Sequence, residues 1–137
     1  MESSELLLAV ANFAIYFIAS IVFLMLFKVI YVRVTPHDEW ALIKEGKNTS
    51  AAIAFGGAVL GFALALAGAA SNSISFVDYA LWGLIALVAQ IAAFVIVRFV
   101  FIPGIVSRIE ANEVSAGIML AATSVSVGLL NAACMTY

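Results

Sequence analysis

The stretch at residues 35–49, TPHDEWALIKEGKNT, is the one long polar run in a chain of 137 residues, and it decides the fold. Apolar spans lie on both sides of it. Hydrophobic residues make up 66% of the chain and charged residues only 10%, against roughly 25% in soluble domains. A soluble chain of this size could not bury so much apolar surface, so the bilayer must be the solvent. The composition predicts an all-α polytopic membrane protein.

Four apolar stretches are long enough to cross a hydrocarbon core, which takes about 20 helical residues. They predict spans at residues 6–27, 50–70, 76–97 and 114–135. We expect the first span to be retained, because Glu2 and Glu5 stand where a signal peptide would be basic and the apolar run is too long. Residues 1–137 are therefore expected to form a single membrane domain with four transmembrane helices.

The polar run itself predicts a short elbow helix at the membrane surface. Thr35-Pro36 supplies a favoured N-cap and first helical position, and Gly46 a favoured end. Either Asn48 or Thr49 is expected to cap the next span. A second, more apolar elbow is expected over residues 105–112.

Positive charge indicates the orientation of the spans. Every Lys and Arg lies in the first or third connection, and none lies in the termini or the turn at residues 71–75. Basic residues collect on the cytoplasmic side of membrane proteins. Both elbows are therefore predicted to be cytoplasmic and both termini periplasmic. The six residues are Lys28, Arg33, Lys44, Lys47, Arg98 and Arg108.

The two halves of the chain align without a gap when they are shifted by 65 residues. Repeat one covers residues 1–70 and repeat two residues 71–137. Each repeat contains two spans, so the halves share one parallel topology, and a pseudo-two-fold axis along the membrane normal is expected. Two charged pairs coincide in this alignment, Arg33 with Arg98 and Glu45 with Glu110. Each Arg precedes its Glu by twelve residues, which predicts ion pairs at the cytoplasmic edge. The alternative is that the Arg side chains only anchor and orient the helices.

Small residues predict a close helix contact on the second span. Gly57 and Gly61 lie four apart, and such spacing lets two helix backbones approach in lipid. The 65-residue shift places them on Ala122 and Ser126, which are also small. The pattern leaves open whether the partner helix belongs to the same chain.

Four polar side chains within the spans form a candidate cluster: Asn12, Asp78, Asn131 and Gln90. The first three lie towards the periplasmic end, and Gln90 lies deeper. We interpret them as interhelical hydrogen-bonding groups, and the alternative is a vestibule for a solute or cation. Gln90 is expected to bond a Ser or Thr of span four, such as Thr123 or Ser124.

Reactive chemistry is not indicated. The spans contain no His or Glu, and no catalytic or phosphate-binding motif is present. The adjacent residues His37, Asp38 and Glu39 point in different directions on a helix and could not share one metal ion. Cys134 is the only cysteine, and the net charge of −2 suggests no nucleic-acid partner. We predict no enzyme activity, no cofactor and no metal site.

Several motifs carry a resemblance that spans nearly the whole chain. They are TPHDE at residues 35–39, GKNTSAAI at 46–53, Gly56-Gly57, Asp78 with Trp82, Gln90, and GLLNAACMT at 128–136. With them the chain resembles the YjfL-like family. The resemblance implies a bacterial inner-membrane protein with four spans in two repeats and no established activity. Some relatives are associated by gene context with envelope-stress proteins of the phage-shock, ESCRT-like type, which implies a candidate partner. Lys47 departs from the family pattern, in which Gly runs directly into Asn-Thr.

The leading hypothesis is a non-enzymatic membrane protein that packs into a homo-oligomer or docks partners through its cytoplasmic elbows. The alternative is a small ion or solute channel or transporter at the repeat interface. A pore needs polar residues through the midplane, whereas this chain has a largely apolar middle. The pattern therefore favours the oligomer or scaffold.

We predict the topology from the distribution of positive charge. A reporter that is active only in the periplasm should be active when fused after Tyr137 and silent when inserted beside Lys44. The measurement is reporter activity normalised to the amount of fusion protein. The reverse pattern would show that the charge distribution does not orient this chain.

Overall fold

Six helices make up the part of the chain that the structure, a computed structural model, describes: residues 2–34, 39–97 and 104–135. Four of them, α1, α3, α4 and α6, are long and apolar enough to cross a membrane, which confirms the predicted all-α, four-span architecture. Every regular element within these ranges is a helix. The helices are α1 (Ser3–Val34), α2 (Glu39–Lys44), α3 (Thr49–Asn72), α4 (Phe76–Ile96), α5 (Ile105–Glu110) and α6 (Val114–Ala133).

The boundaries differ from the prediction at α1 and at the elbows. Helix α1 has 32 residues and continues past the predicted end at residue 27, because Lys28 and Arg33 are tolerated where a helix leaves the hydrocarbon. Helix α5 ends at Glu110, because Asn112 adopts a left-handed φ of 60°. The predicted start of the first elbow, at residues 35–38, lies outside the described residues.

Helices α3 and α6 form the centre of the bundle and run parallel to each other. Gly57 of α3 packs on Ala121 of α6, and Gly61 packs on the main chain at Ser124. In return, Gly128 packs on the main chain of Gly61. Only glycine allows these approaches, because a Cβ at any of the three positions would overlap the facing helix. The close contact predicted from Gly57 and Gly61 is therefore made inside the chain.

Helix α4 runs antiparallel to α3 and α6 and packs against both. Tyr79, Ala86 and Phe94 on α4 are buried, as is Gln90. Helix α4 also runs parallel to α1, because Phe23 of α1 lies against Gly83 and Tyr31 lies against Phe94 further along both helices.

Helix α1 lies at the edge of the bundle. Only 6% of the residues in its most apolar 18-residue stretch are buried, against 33% in that of α4. Near the elbow end, Phe27 stacks on Phe62 of α3 with ring centroids 4.7 Å apart. Two turns earlier in α1, the Ser20 hydroxyl oxygen lies 2.5 Å from the Tyr79 hydroxyl oxygen of α4. Because the Ser20 hydroxyl donates to the carbonyl oxygen of Tyr16, the Tyr79 hydroxyl must donate to Ser20.

Several features recur at the 65-residue interval. Helices α3 and α6 begin 65 positions apart, and Lys47 and Asn112, the non-glycine residues with positive φ in the described part of the chain, are separated by the same interval. The α3–α6 contact, however, does not have the expected two-fold relation. Gly57 faces Ala121, whereas nothing lies within 4 Å of a Cβ placed on Gly56, the residue equivalent to Ala121. The two helices therefore meet through different faces.

We predict that a single methyl group at Gly61 pushes α3 and α6 apart and lowers the stability of the bundle. Gly61→Ala would place its Cβ against the main chain at Ser124, 2.8 Å from Nε2 of Gln90, and should cost about 1–3 kcal/mol. Gly56→Ala is the matched control, because its Cβ meets nothing and Ala favours a helix. The measurement is thermal unfolding of both variants in one detergent. Equal melting temperatures would mean that α3 and α6 are not in backbone contact.

Candidate functional site

The candidate site is the elbow junction, which we define as α2, α5 and the turns that follow them at residues 45–48 and 111–113. Both turns reverse the chain with one left-handed residue, Lys47 with φ 49° and Asn112 with φ 60°. Asn tolerates this conformation and Lys does so less readily. The position where Lys47 departs from the family pattern is thus the reversing position of the first turn.

Asn48 joins the first elbow turn to the end of α5. Its side-chain oxygen accepts a hydrogen bond from the Ala51 amide at 2.8 Å, which makes it the N-cap of α3. Its amide nitrogen donates to the carbonyl oxygens of Ile109, at 2.8 Å, and Glu110, at 3.4 Å. Asn48 is buried, so each of these groups would be costly to leave unpaired. One side chain therefore caps α3 and holds the end of α5.

Ser50, at the start of α3, makes two hydrogen bonds to the second elbow turn. Its amide donates to the side-chain oxygen of Asn112 at 3.0 Å, and its hydroxyl donates to the carbonyl oxygen of Glu113 at 2.7 Å. Ser50 is fully buried. The sequence pattern places Asn48 as one of two candidate caps but gives no sign of these contacts between the turns. They form only because α3 and α6 start side by side.

An exposed ion pair closes the second elbow. Arg108 donates to the Glu113 carboxylate through Nε at 3.0 Å and through Nη2 at 2.7 Å. These hydrogen bonds hold the pKa of Glu113 below its ordinary value and raise the pKa of Arg108. Because the carboxyl pKa is lowered, the pair contributes above that ordinary value and is lost as the pH falls through the lowered one.

The predicted ion pairs of the duplication are not the ones found. Arg33 is exposed at the end of α1, and among the described residues no ion pair joins it to Glu45 or Glu110. Both Glu side chains are exposed, and no ion pair involves either of them among the described residues. Arg98 lies outside the described residues, so its pair with Glu110 stays a prediction. The pairing of Arg108 with Glu113 spans one turn, a spacing that the shared interval of twelve did not suggest.

Gln90 is the one predicted polar residue that lies deep in the bundle. Its amide nitrogen donates to the carbonyl oxygen of Ser124 at 2.8 Å, so the partner is one of the two expected residues, through its main chain. The side-chain oxygen of Gln90 is buried and has no hydrogen-bond partner among the described residues. The close approach of Gly61 leaves little room beside the amide.

The three polar residues predicted near the periplasmic end do not form a cluster. Asn131 donates to the carbonyl oxygen of Ala86 at 3.2 Å and joins α6 to α4. Asp78 accepts from the Ile74 amide at 2.9 Å and closes its own turn. Asn12 is exposed on α1, and its side chain meets neither of the others in the described structure. The three residues lie on three different helices, and the rotation of each helix decides what its side chain meets, which depth alone does not reveal.

The chemistry of the junction is that of a rigid, charged surface. The buried polar groups bond to main-chain atoms, whereas Lys44, Glu45, Lys47 and Glu110 are exposed around them. Within residues 2–34, 39–97 and 104–135, no group of three His, Cys, Asp or Glu side chains comes together. His37 and Asp38, considered above as metal ligands, lie outside these ranges.

Comparison with known proteins adds a family and two relatives. Residues 4–135 match the family described as Domain of Unknown Function (DUF350). The UPF0719 inner membrane protein YjfL of Escherichia coli strain K12 is 40% identical over 125 residues, which cover 91% of this chain and 93% of that protein. The protein of the same name from Escherichia coli O157:H7 matches equally. No solved structure matches the chain.

We predict that Asn48→Asp keeps the N-cap of α3 but loses the hydrogen bonds to the end of α5. Asp caps helices well, so the bond to Ala51 is kept. The new carboxylate, however, would face the carbonyl oxygens of Ile109 and Glu110, which should cost about 1–3 kcal/mol at neutral pH. These neighbours and burial raise its pKa, so stability should recover as the pH falls and the carboxyl gains a proton.

The measurement for Asn48→Asp is its melting temperature relative to the wild type at pH 7 and at about pH 5, where a carboxyl group with a raised pKa gains more of its proton. Thr49→Ala is the control, because Thr49 is the exposed neighbour. A wild-type melting temperature for Asn48→Asp at pH 7 would contradict the role of the Asn48 amide in joining the first elbow turn to the end of α5.

Proposed function

The chain belongs to the DUF350 family and is a multi-pass inner-membrane protein, and on this basis we propose that it is a non-enzymatic, homo-oligomeric membrane component whose elbows form a docking scaffold. We propose that the elbows face the cytoplasm and both termini face the periplasm, as the charge distribution predicts. The oligomer is embedded in the lipid bilayer and needs no cofactor.

One observation carries this proposal: buried and half-buried polar groups of the bundle bond from helix to helix. Tyr79 bonds to α1, Gln90 to α6, Asn131 to α4 and Asn48 to α5. Each therefore holds neighbouring helices together. A reacting site needs a nucleophile with a base, or paired carboxylates, at one depth. The arrangement supports a rigid structural component.

The elbow junction supports the docking part of the proposal. Its exposed charges have both signs, and Arg108 and Glu113 hold each other in one geometry. The hydrogen bonds of Asn48 and Ser50 fix the underlying main chain. A surface fixed in advance loses little conformational entropy when a partner binds. We propose a cytoplasmic or envelope-stress protein as the partner and envelope maintenance as the setting.

One observation favours a second candidate, a small channel or transporter at the repeat interface. The buried side-chain oxygen of Gln90, with no partner in the described part of the chain, is an acceptor within the apolar bundle. An ion or solute crossing the bundle would meet this group. Flux that depends on Gln90 would therefore distinguish a channel from a scaffold.

The test measures mass and flux on the same full-length protein. In nanodiscs the particle should contain several copies of the 14.5 kDa chain, and liposomes that contain it should leak ions no faster than empty ones. Gln90→Leu is the control for any flux. A monomer, or an ion flux that Gln90→Leu abolishes, would contradict the proposed function.

A further inference from the structure

The contact between α3 and α6 uses a different face of each helix. On α3 the contact is made by the front face, which we define as Ser50, Gly57, Gly61 and Gly68. On α6 it is made by the back face, defined as Gly117, Ala121, Ser124, Gly128 and Ala132. Facing residues are between 63 and 67 positions apart in the sequence, close to the 65-residue repeat interval. The two helices therefore lie at the same depth.

Each helix also has, on its open side, the face with which the equivalent helix of the other repeat makes this contact. Shifted by 65, the front face of α3 becomes a front face of α6, at Ser115, Ala122, Ser126 and Ala133, all exposed. Shifted back, the back face of α6 becomes a back face of α3, at Ala52, Gly56, Val59, Ala63 and Ala67, all exposed or half-buried. One front and one back face are joined inside the chain, and one of each remains open.

Helix α1 lacks a neighbour that its equivalent has. Helix α4 packs on α6 of its own repeat and on α3 of the preceding repeat. Helix α1 packs on α3 of its own repeat but makes no comparable contact with α6 among the described residues. This missing neighbour accounts for the difference in burial, 6% for α1 against 33% for α4.

We propose that a second copy of this chain docks the front face of its α6 on the back face of α3, in the register of the internal contact but with a wider helix spacing, because Ser126 and Ala63 stand where the internal contact has Gly61 and Gly128. The same docking would bring that α6 against the open side of α1. The inference rests on the proposed homo-oligomer and specifies its interface. The occupant must be a parallel helix with small residues at the same depth, and α6 of another copy meets each requirement.

The geometry also determines the kind of assembly. A front-to-back contact is heterologous, so each added copy again exposes one front and one back face. Because α3 and α6 are level, every copy would keep the same depth and orientation in the bilayer. A heterologous contact without a shift along its axis gives a closed ring when its rotation divides a full turn. The ring axis would be parallel to the membrane normal.

Disulfide formation between single cysteines tests the inference in membranes that contain the full chain. Inside the chain, Gly57 touches Ala121. Their repeat equivalents on the two open faces are Ala122 and Gly56, so the test places Ala122→Cys and Gly56→Cys in separate chains of a Cys134→Ser background. Both positions are exposed in one copy, and the wider helix spacing of the proposed contact leaves room for two side chains there. Chains that carry either cysteine alone should remain monomeric on non-reducing gels. Co-expressed, they should give a disulfide-linked dimer of twice the chain mass.

The controls separate this inference from the proposed function. Val88→Cys on the exposed side of α4, co-expressed with Ala122→Cys, should give no dimer. Dimers from Ala122→Cys alone would indicate a two-fold contact and overturn the inference. No dimer from the Gly56 and Ala122 pair, while nanodisc particles still contain several copies, would overturn only the inference. Particles with one copy would overturn the proposed function as well.

Discussion

The backbone contact between α3 and α6 is the constraint on which the rest of the structure depends. In lipid, helices gain little from hiding apolar surface, so their association relies on close packing and hydrogen bonds. Gly57, Gly61 and Gly128 bring the two backbones together. At that separation Asn48 and Ser50 reach the second elbow turn, and Gln90 reaches the main chain of α6. The polar contacts therefore follow from the packing.

Apolar length and small-residue spacing made the four spans and the Gly57–Gly61 contact predictable from the sequence, because both properties are local to one helix. The side-chain partners were less predictable, because they depend on how each helix is rotated. Asn12 and Asn131 were both predicted near the periplasmic end, yet Asn131 bonds to α4 whereas Asn12 is exposed on α1. The Ser20–Tyr79 bond gave no signal, since neither residue type is unusual in a membrane span. The equivalence of Arg33 and Arg98 suggested ion pairs, whereas the ion pair of the second elbow joins Arg108 to Glu113.

The front-to-back contact gives the tandem repeat a structural consequence. A two-fold contact between the repeats would have used equivalent faces of α3 and α6 and left no matching pair open. A heterologous contact leaves one face of each kind, together with the poorly buried α1. Under the proposed function, contacts of one register would hold the chain together and build the oligomer, and the elbows of all copies would lie on one side of the membrane.

The distance between spin labels tests most directly whether α3 and α6 lie parallel and level. Labels at Thr49 and Val114, the exposed first residues of the two helices, should be separated by about one helix spacing, roughly 10 Å between axes. Moving the second label to Leu129, fifteen residues along α6, should displace it by about 22 Å along the helix axis and so lengthen the distance to about 25 Å. Dilution with unlabelled protein restricts the measurement to one chain. A longer distance for Thr49 and Val114 than for Thr49 and Leu129 would mean that the helices are antiparallel, and it would contradict the account.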